Sequence, residues 1–297
     1  MGTARSGVRG RLGDALFRGV AGPGGPENRQ RVHGTPGPRW FAADRPIRVV
    51  HGDAAMFAGG LSALLLQSLH PLAMTAVATH SGYRSDPWGR LARTSTFLAY
   101  TAYGTADDAQ RAVDRVRTVH ERIRGRTARG EPYHASDSHL LAWVHVAEVY
   151  CFLKAHQRYG ARPLDAAGRE GYVADMATVG AALGVERPPT TLAELIERID
   201  AYRPELHATE QAREAMGYVL LHPPLPRPLL PAYLLLGAAA VTLLPAWARD
   251  QLGLPVLPRA ERWCVRPAGA AVTGLIRWVL PPPPPTPRGP GPSTDHR

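Results

Sequence analysis

The apolar residues of this chain recur at helical spacing through nearly the whole middle of the sequence, and strand-like alternation is nowhere sustained. A chain patterned this way can bury its apolar stripes only by packing helix on helix. Asp53 caps a long apolar segment from Ala54 to about Ala78, interrupted by Gly59-Gly60 and Pro71. Asp86-Pro87 reads as an N-cap with proline at the first helical position, opening a helix to about Tyr103 that Gly104 ends. Thr105 with Asp108 forms a capping box that starts the next helix, with Gly125 as its expected stop. Ser136 or Asp137 caps a further helix through Trp143, His145 and Cys151 to about Tyr159. More helices are expected near 168–183, 191–200, 204–221, 229–250 and 258–279. The predicted fold class is therefore all-α, a single multi-helix globular domain over residues 39–280. A flexible Arg/Gly/Pro-rich leader (1–38) and a disordered proline-rich tail (281–297) are expected to flank it.

The formal net charge of +10 raises the question of a nucleic-acid partner. Half of that excess lies in residues 1–39, where seven arginines face only Asp14 and Glu27, and Lys154 is the chain's sole lysine. The leader reads as a basic disordered arm, or alternatively as a tether to RNA or a membrane surface. No helix-turn-helix, zinc-finger or aromatic RNA-binding signature accompanies it, so no nucleic-acid partner is expected. Cys151 and Cys264 fit neither a disulfide framework nor a metal knuckle, and the absence of C-x-x-C-H excludes covalent haem attachment. The N-terminus lacks the apolar core of a signal peptide, so the expected location is cytoplasmic. Ala54–Leu66 is short for a membrane span, and Pro231, Gly237 and Pro245 divide Leu229–Ala248. Buried core helices are the expectation for both, with peripheral membrane contact as the alternative.

Several residues carry candidate chemistry. His120 shares a helical stripe with Val113, Val116 and Ile123, so its imidazole points inward and needs a hydrogen bond, a carboxylate or a metal. Arg90, Arg93 and Thr94 form R-L-A-R-T, which places two guanidinium groups and a hydroxyl on one helix face. Leu91, Phe97 and Leu98 suggest that this helix is substantially buried, so the arginines need anionic partners or a polar pocket. Carboxylates elsewhere in the chain would satisfy them equally. His145 lies among apolar residues with Glu148 on the following helix, as a hydrogen-bonded core histidine or a ligand. His70, directly before Pro71, marks a kink as much as a ligand. His120-Glu121 begins like a zinc-protease motif, but Arg124 stands where the second histidine belongs. Glu131–His134 has di-iron spacing, yet Pro132 argues against a helix interior. No Walker loop, dinucleotide glycine fingerprint or G-x-S-x-G elbow is present.

Taken in order, Q-S-L-H-P (67–71), H-S-G-Y (80–83), R-L-A-R-T (90–94), V-H-E-R-I-R-G (119–125), A-W-V-H (142–145) and L-L-P-A-W-A-R-D-Q-L-G-L (243–254) resemble one family. It is the bacterial rubber oxygenase (latex-clearing protein) and fungal MpaB-type oxygenase family, matched over roughly residues 45–255. The resemblance implies an all-helical fold enclosing a b-type haem pocket, with His120 as the iron ligand and His145 as reserve ligand or structural neighbour. It also implies that Arg90, Arg93 and Thr94 face the distal side, where they would orient dioxygen. Arg93 stands where the rubber oxygenases carry lysine; it keeps the charge but offers no neutral amine. The implied activity is oxygenation of a small apolar substrate, isoprenoid- or polyketide-like. A non-enzymatic haem-binding or sensing protein is the alternative on the same pocket. The sequence leaves the oligomeric state open.

Overall fold

The computed structural model describes residues 7–223 and 225–280; the proline-rich tail expected after residue 280 lies outside them. The centre of the fold is α8 (Ser138–Tyr159), a helix buried on almost every side. Its start follows from Asp137, whose side chain accepts from the His139 N–H, and Gly160 ends it by donating to the His156 carbonyl. Of its charged positions Lys154 and Arg158 face solvent, while Glu148 is half-buried.

α4 (Met56–Gln67) lies along α8 at short range because it presents glycine there. A Cβ on Gly59 would come within 2.7 Å of the Phe152 ring and 3.1 Å of Ala155. The apolar segment expected to run to Ala78 breaks at residues 68–70 and resumes as α5 (Pro71–His80), turned by 112°. Pro71 occupies the first turn of α5, where its missing N–H costs nothing. α3 (Pro46–His51), α9 (Ala166–Leu183) and α10 (Leu192–Tyr202) complete the packing around α8. Trp143, Tyr172, Tyr202 and Leu195 are among the fully buried side chains of this core.

α6 (Pro87–Tyr103) and α7 (Ala106–Arg122) form the antiparallel pair beside it. Asp86 accepts from Gly89 N–H at 2.9 Å, and Thr105 Oγ1 accepts from Asp108 N–H at 3.2 Å, as the capping signals predict. The expected glycine stop of α7 is corrected: the helix ends at Arg122, and Gly125 lies in a short antiparallel hairpin, β1 (Arg124–Arg126) with β2 (Pro132–His134). Its lack of a side chain serves close approach, since a Cβ on Gly125 would lie 2.5 Å from the Tyr133 hydroxyl.

The flexible-leader expectation is corrected as well. Residues 8–34 form α1 (Val8–Ala21) and α2 (Gly25–Gly34), packed on α6, with α1 also reaching the C-terminal helix. Long-range contacts hold them: Val32 is 1% exposed, Arg31 pairs with the buried Asp108 at 2.7 Å, Tyr100 donates to Asn28 Oδ1 at 2.9 Å, and Ser95 Oγ donates to the Val20 carbonyl at 2.9 Å. Arg39 donates to the carbonyls of Val32, Thr35 and Tyr103, fixing the chain where it enters the main domain. Tertiary partners, invisible in the leader's own composition, overcome its Gly/Pro content.

α11 (Glu210–Leu221), α12 (Leu230–Val241), α13 (Ala246–Gln251), the helical turn α14 (Pro258–Ala260), a π-turn over Glu261–Val265 and α15 (Arg266–Val279) complete the chain. Arg249 of α13 is buried in an ion pair with Glu261 of the π-turn and also donates to the Pro255 carbonyl. Among the described residues no single helix is long and apolar enough to cross a membrane; the bent α4–α5 pair reaches that composition only jointly.

Candidate functional site

His120 stands in the last turn of α7, on the inward stripe with Val113, Val116 and Ile123. Its ring is half-buried, and Nδ1 is fully shielded from solvent with no hydrogen-bond partner. Burial lowers its pKa, which keeps the imidazole neutral. A buried, neutral, unpartnered nitrogen is costly unless something outside the chain satisfies it.

His145 presents the same chemistry on α8. It is 6% exposed, its Nε2 has no partner, and burial pushes its pKa down to about 4. The ring occupies space that α9 leaves open at Gly180, where a Cβ would lie 2.8 Å from Cε1. One turn further along α8, burial pushes the Glu148 carboxyl up to about 7. Burial raises the pKa of the Cys151 thiol and of the Tyr172 hydroxyl, and the charge of Glu148 adds to both, opposed at Cys151 by a hydrogen bond with Ser62. The Tyr172 hydroxyl in turn lies 3.3 Å from Nε2 of His51, whose pKa burial pushes to about 3. His51 and Tyr172 were not legible as site residues. They meet across α3 and α9 from 121 positions apart, and neither sits in a motif.

The R-L-A-R-T face divides. Arg90 is half-buried and donates to Ser81 Oγ at 3.0 Å, and burial, then the charge of Arg93, lowers its pKa. Arg93 is exposed and pairs with Asp86 at 3.1 Å, the residue that caps its own helix. Thr94 is exposed too. The expectation of a substantially buried helix therefore holds only at its C-terminal end, where Thr101, Ala102 and Tyr103 are buried; Trp88 and Leu91 are exposed. Among the described residues no hydrogen bond or ion pair joins Arg90, Arg93 or Thr94 to His120 or His145.

The H-S-G-Y turn connects these parts. His80 Nε2 lies 3.1 Å from the Tyr133 hydroxyl in the hairpin after α7, and the adjacent Ser81 receives Arg90 from α6. Two neighbouring residues thus tether the start of α6 to the chain that follows His120. His70, at the α4–α5 bend, is also buried, and it gathers with His139 and Glu205.

Residues 48–278 match the family described as the ER-bound oxygenase mpaB/B'/rubber oxygenase catalytic domain. The match spans most of the 297 residues, and the chain belongs to that family. It therefore carries an oxygenase catalytic domain on an all-helical fold. No curated protein and no solved structure matches the chain.

Proposed function

We propose that this chain is a haem b-dependent oxygenase that uses dioxygen on a small apolar substrate, isoprenoid- or polyketide-like. The observation that carries the reading is His120 Nδ1, buried and without a partner on the inward face of α7. The donor set fits the group, because iron takes neutral imidazole and burial keeps both His120 and His145 neutral. His120 would hold the iron, with His145 as the reserve ligand or a structural neighbour. Bound haem would supply the activation of dioxygen, which no side chain offers alone.

The chain's own residues bind, orient and exclude water. Arg90 brings a permanent positive charge to a partly buried position, suited to an anionic group of the cofactor or to charge developing during oxidation. Arg93 and Thr94 lie on the next turn and would border the same approach from the solvent side. Glu148, whose carboxyl burial holds protonated near neutrality, can donate a proton from Oε within the interior.

The expected location is cytoplasmic with peripheral membrane contact, which would bring an apolar substrate within reach. What supports the membrane contact is the C-terminal region, where Trp263 is 70% and Trp278 52% exposed, with Leu257 and Leu275 also exposed. Arg262 and Arg9 stack over these two indoles, an arrangement suited to an anionic interface. The test of the oxygenase reading is oxygen uptake by the haem-loaded full chain with isoprenoid and polyketide substrates. Substrate-dependent uptake that falls in Arg90→Ala supports it. Haem binding with no uptake on any substrate would make the chain a haem-binding protein instead.

A further inference from the structure

Away from α7, three elements converge on a cluster that the oxygenase reading does not use. His70 occupies the N-cap position of α5, His139 lies in the first turn of α8, and Glu205 ends the 3-10 turn after α10. One ligand atom from each lies within 4.8 Å of the others. Glu205 Oε2 is 2.8 Å from His139 Nε2 and 3.5 Å from His70 Nε2.

His70 is the informative member. It is 3% exposed, and neither of its ring nitrogens has a hydrogen-bond partner. Its ring sits among Trp143, Tyr202 and His139, with centroids 6.2–6.5 Å away. The backbone beside it is pinned, because His207 N–H donates to the Leu69 carbonyl and Trp143 Nε1 donates to the Gln67 carbonyl. The imidazole is thus carried on fixed backbone, packed among aromatic rings, with Nε2 facing Glu205.

His139 is oriented as well. The Tyr202 hydroxyl donates to the His139 carbonyl at 2.7 Å, leaving its oxygen free to accept from His139 Nδ1 at 3.4 Å. His139 Nε2–H donates to Glu205 Oε2 at 2.8 Å; a metal would replace that Nε2 proton while Nδ1–H stays on the Tyr202 oxygen, the outer-shell pattern common at metal-bound histidines. Glu205 is itself 44% exposed at the side chain and can adjust.

We propose that His70, His139 and Glu205 form a site for a divalent transition metal of the zinc class, built on elements other than the helix of His120. Two imidazoles and one carboxylate are a three-ligand set that leaves a fourth position for water or another ligand. Zinc takes these atoms at about 2.0–2.2 Å, which sets neighbouring ligand atoms roughly 3.3 Å apart. The 3.5 Å separation already matches, the 2.8 Å one needs a shift of the partly exposed Glu205 carboxylate, and the two imidazole nitrogens, within 4.8 Å of each other, would close up through the exposed His139 ring. Tyr202 acts as a positioning residue through His139.

The test is calorimetric titration of the chelator-treated, desalted full chain with zinc sulfate. The expected result is saturable binding of one ion per chain in the micromolar range or tighter. His139→Ala and Glu205→Gln, both at partly exposed positions that a folded chain tolerates, should each weaken it by about tenfold or more, and Tyr202→Phe by about tenfold. His134→Ala, an exposed histidine outside the cluster, should change nothing. Absence of saturable binding, or affinity within about threefold of wild type in both His139→Ala and Glu205→Gln, overturns the site. Zinc content and haem absorbance are separate readouts, so either reading can fail while the other stands.

Discussion

The His145 imidazole occupies the space that Gly180 leaves on α9, with its Cε1 2.8 Å from where a Cβ would stand. Gly180→Ala should therefore overpack the α8–α9 contact and cost about 1–3 kcal/mol, although alanine is the better helix former. Gly217→Ala is the control: it too lies within a helix, but its Cβ would meet nothing within 4 Å, so it should gain about 0.5–1 kcal/mol. Urea midpoints of the two variants measure the difference. Equal shifts would show that the ring moves aside freely.

Glu148 makes stability depend on pH in a defined direction. Its folded pKa of about 7 lies above the ordinary value of 4.5, because burial disfavours the carboxylate. Below the ordinary value both folded and unfolded states hold the proton and there is no penalty. As pH rises towards 7 the unfolded state ionises first, so the folded state loses ground, by on the order of 2–3 kcal/mol once above 7. Glu148→Gln should gain stability relative to wild type at pH 8 and much less at pH 5, as thermal unfolding at the two values would record. The same gain at both would contradict the burial assigned to this carboxyl.

Asp108 works in the opposite sense. Burial pushes its carboxyl up, but hydrogen bonds from Arg31, Arg111 and Thr105 outweigh that and hold it below its ordinary value. Its contribution is present above the ordinary carboxylate range and is lost as pH falls through the depressed folded value. Deleting residues 1–38 removes Arg31 and the buried Val32, so it should destabilise the domain by about 2 kcal/mol or more from the apolar contact alone. A calorimetric Tm unchanged by the deletion would show that α1 and α2 contribute nothing to the fold.

Vesicle sedimentation checks the outer C-terminal face. The chain should pellet with anionic vesicles more than with neutral ones, and Trp263→Ser with Trp278→Ser should reduce the bound fraction several-fold. Binding insensitive to both the indoles and the lipid charge would remove membrane contact from the account.

What could be read from the sequence was local chemistry. Asp86, Thr105 with Asp108, and Asp137 cap their helices as their positions predict, because a cap needs only residues within one turn. His120 lies on the inward stripe for the same reason. The errors came where a local signal had two meanings. Gly125 served close approach to Tyr133 and not a helix stop, and the Gly/Pro-rich leader became helical through Arg31 and Val32. Arg93 pairs with a carboxylate seven residues away, one of the partners its charge was expected to find. Contacts such as His51 with Tyr172, or His70 with His139 and Glu205, join residues that no spacing rule relates. The family was legible because its motifs are ordered along the chain, each of them short.

The most direct test of the haem assignment is the absorption spectrum of the full chain expressed with haem supply, wild type against His120→Ala, with His145→Ala beside them. The prediction is a Soret band in the wild type that is lost or strongly altered in His120→Ala, is partly restored by added imidazole, and survives in His145→Ala. A well-folded wild type with no Soret band, or a His120→Ala spectrum identical to wild type, would contradict it and leave His120 a core histidine.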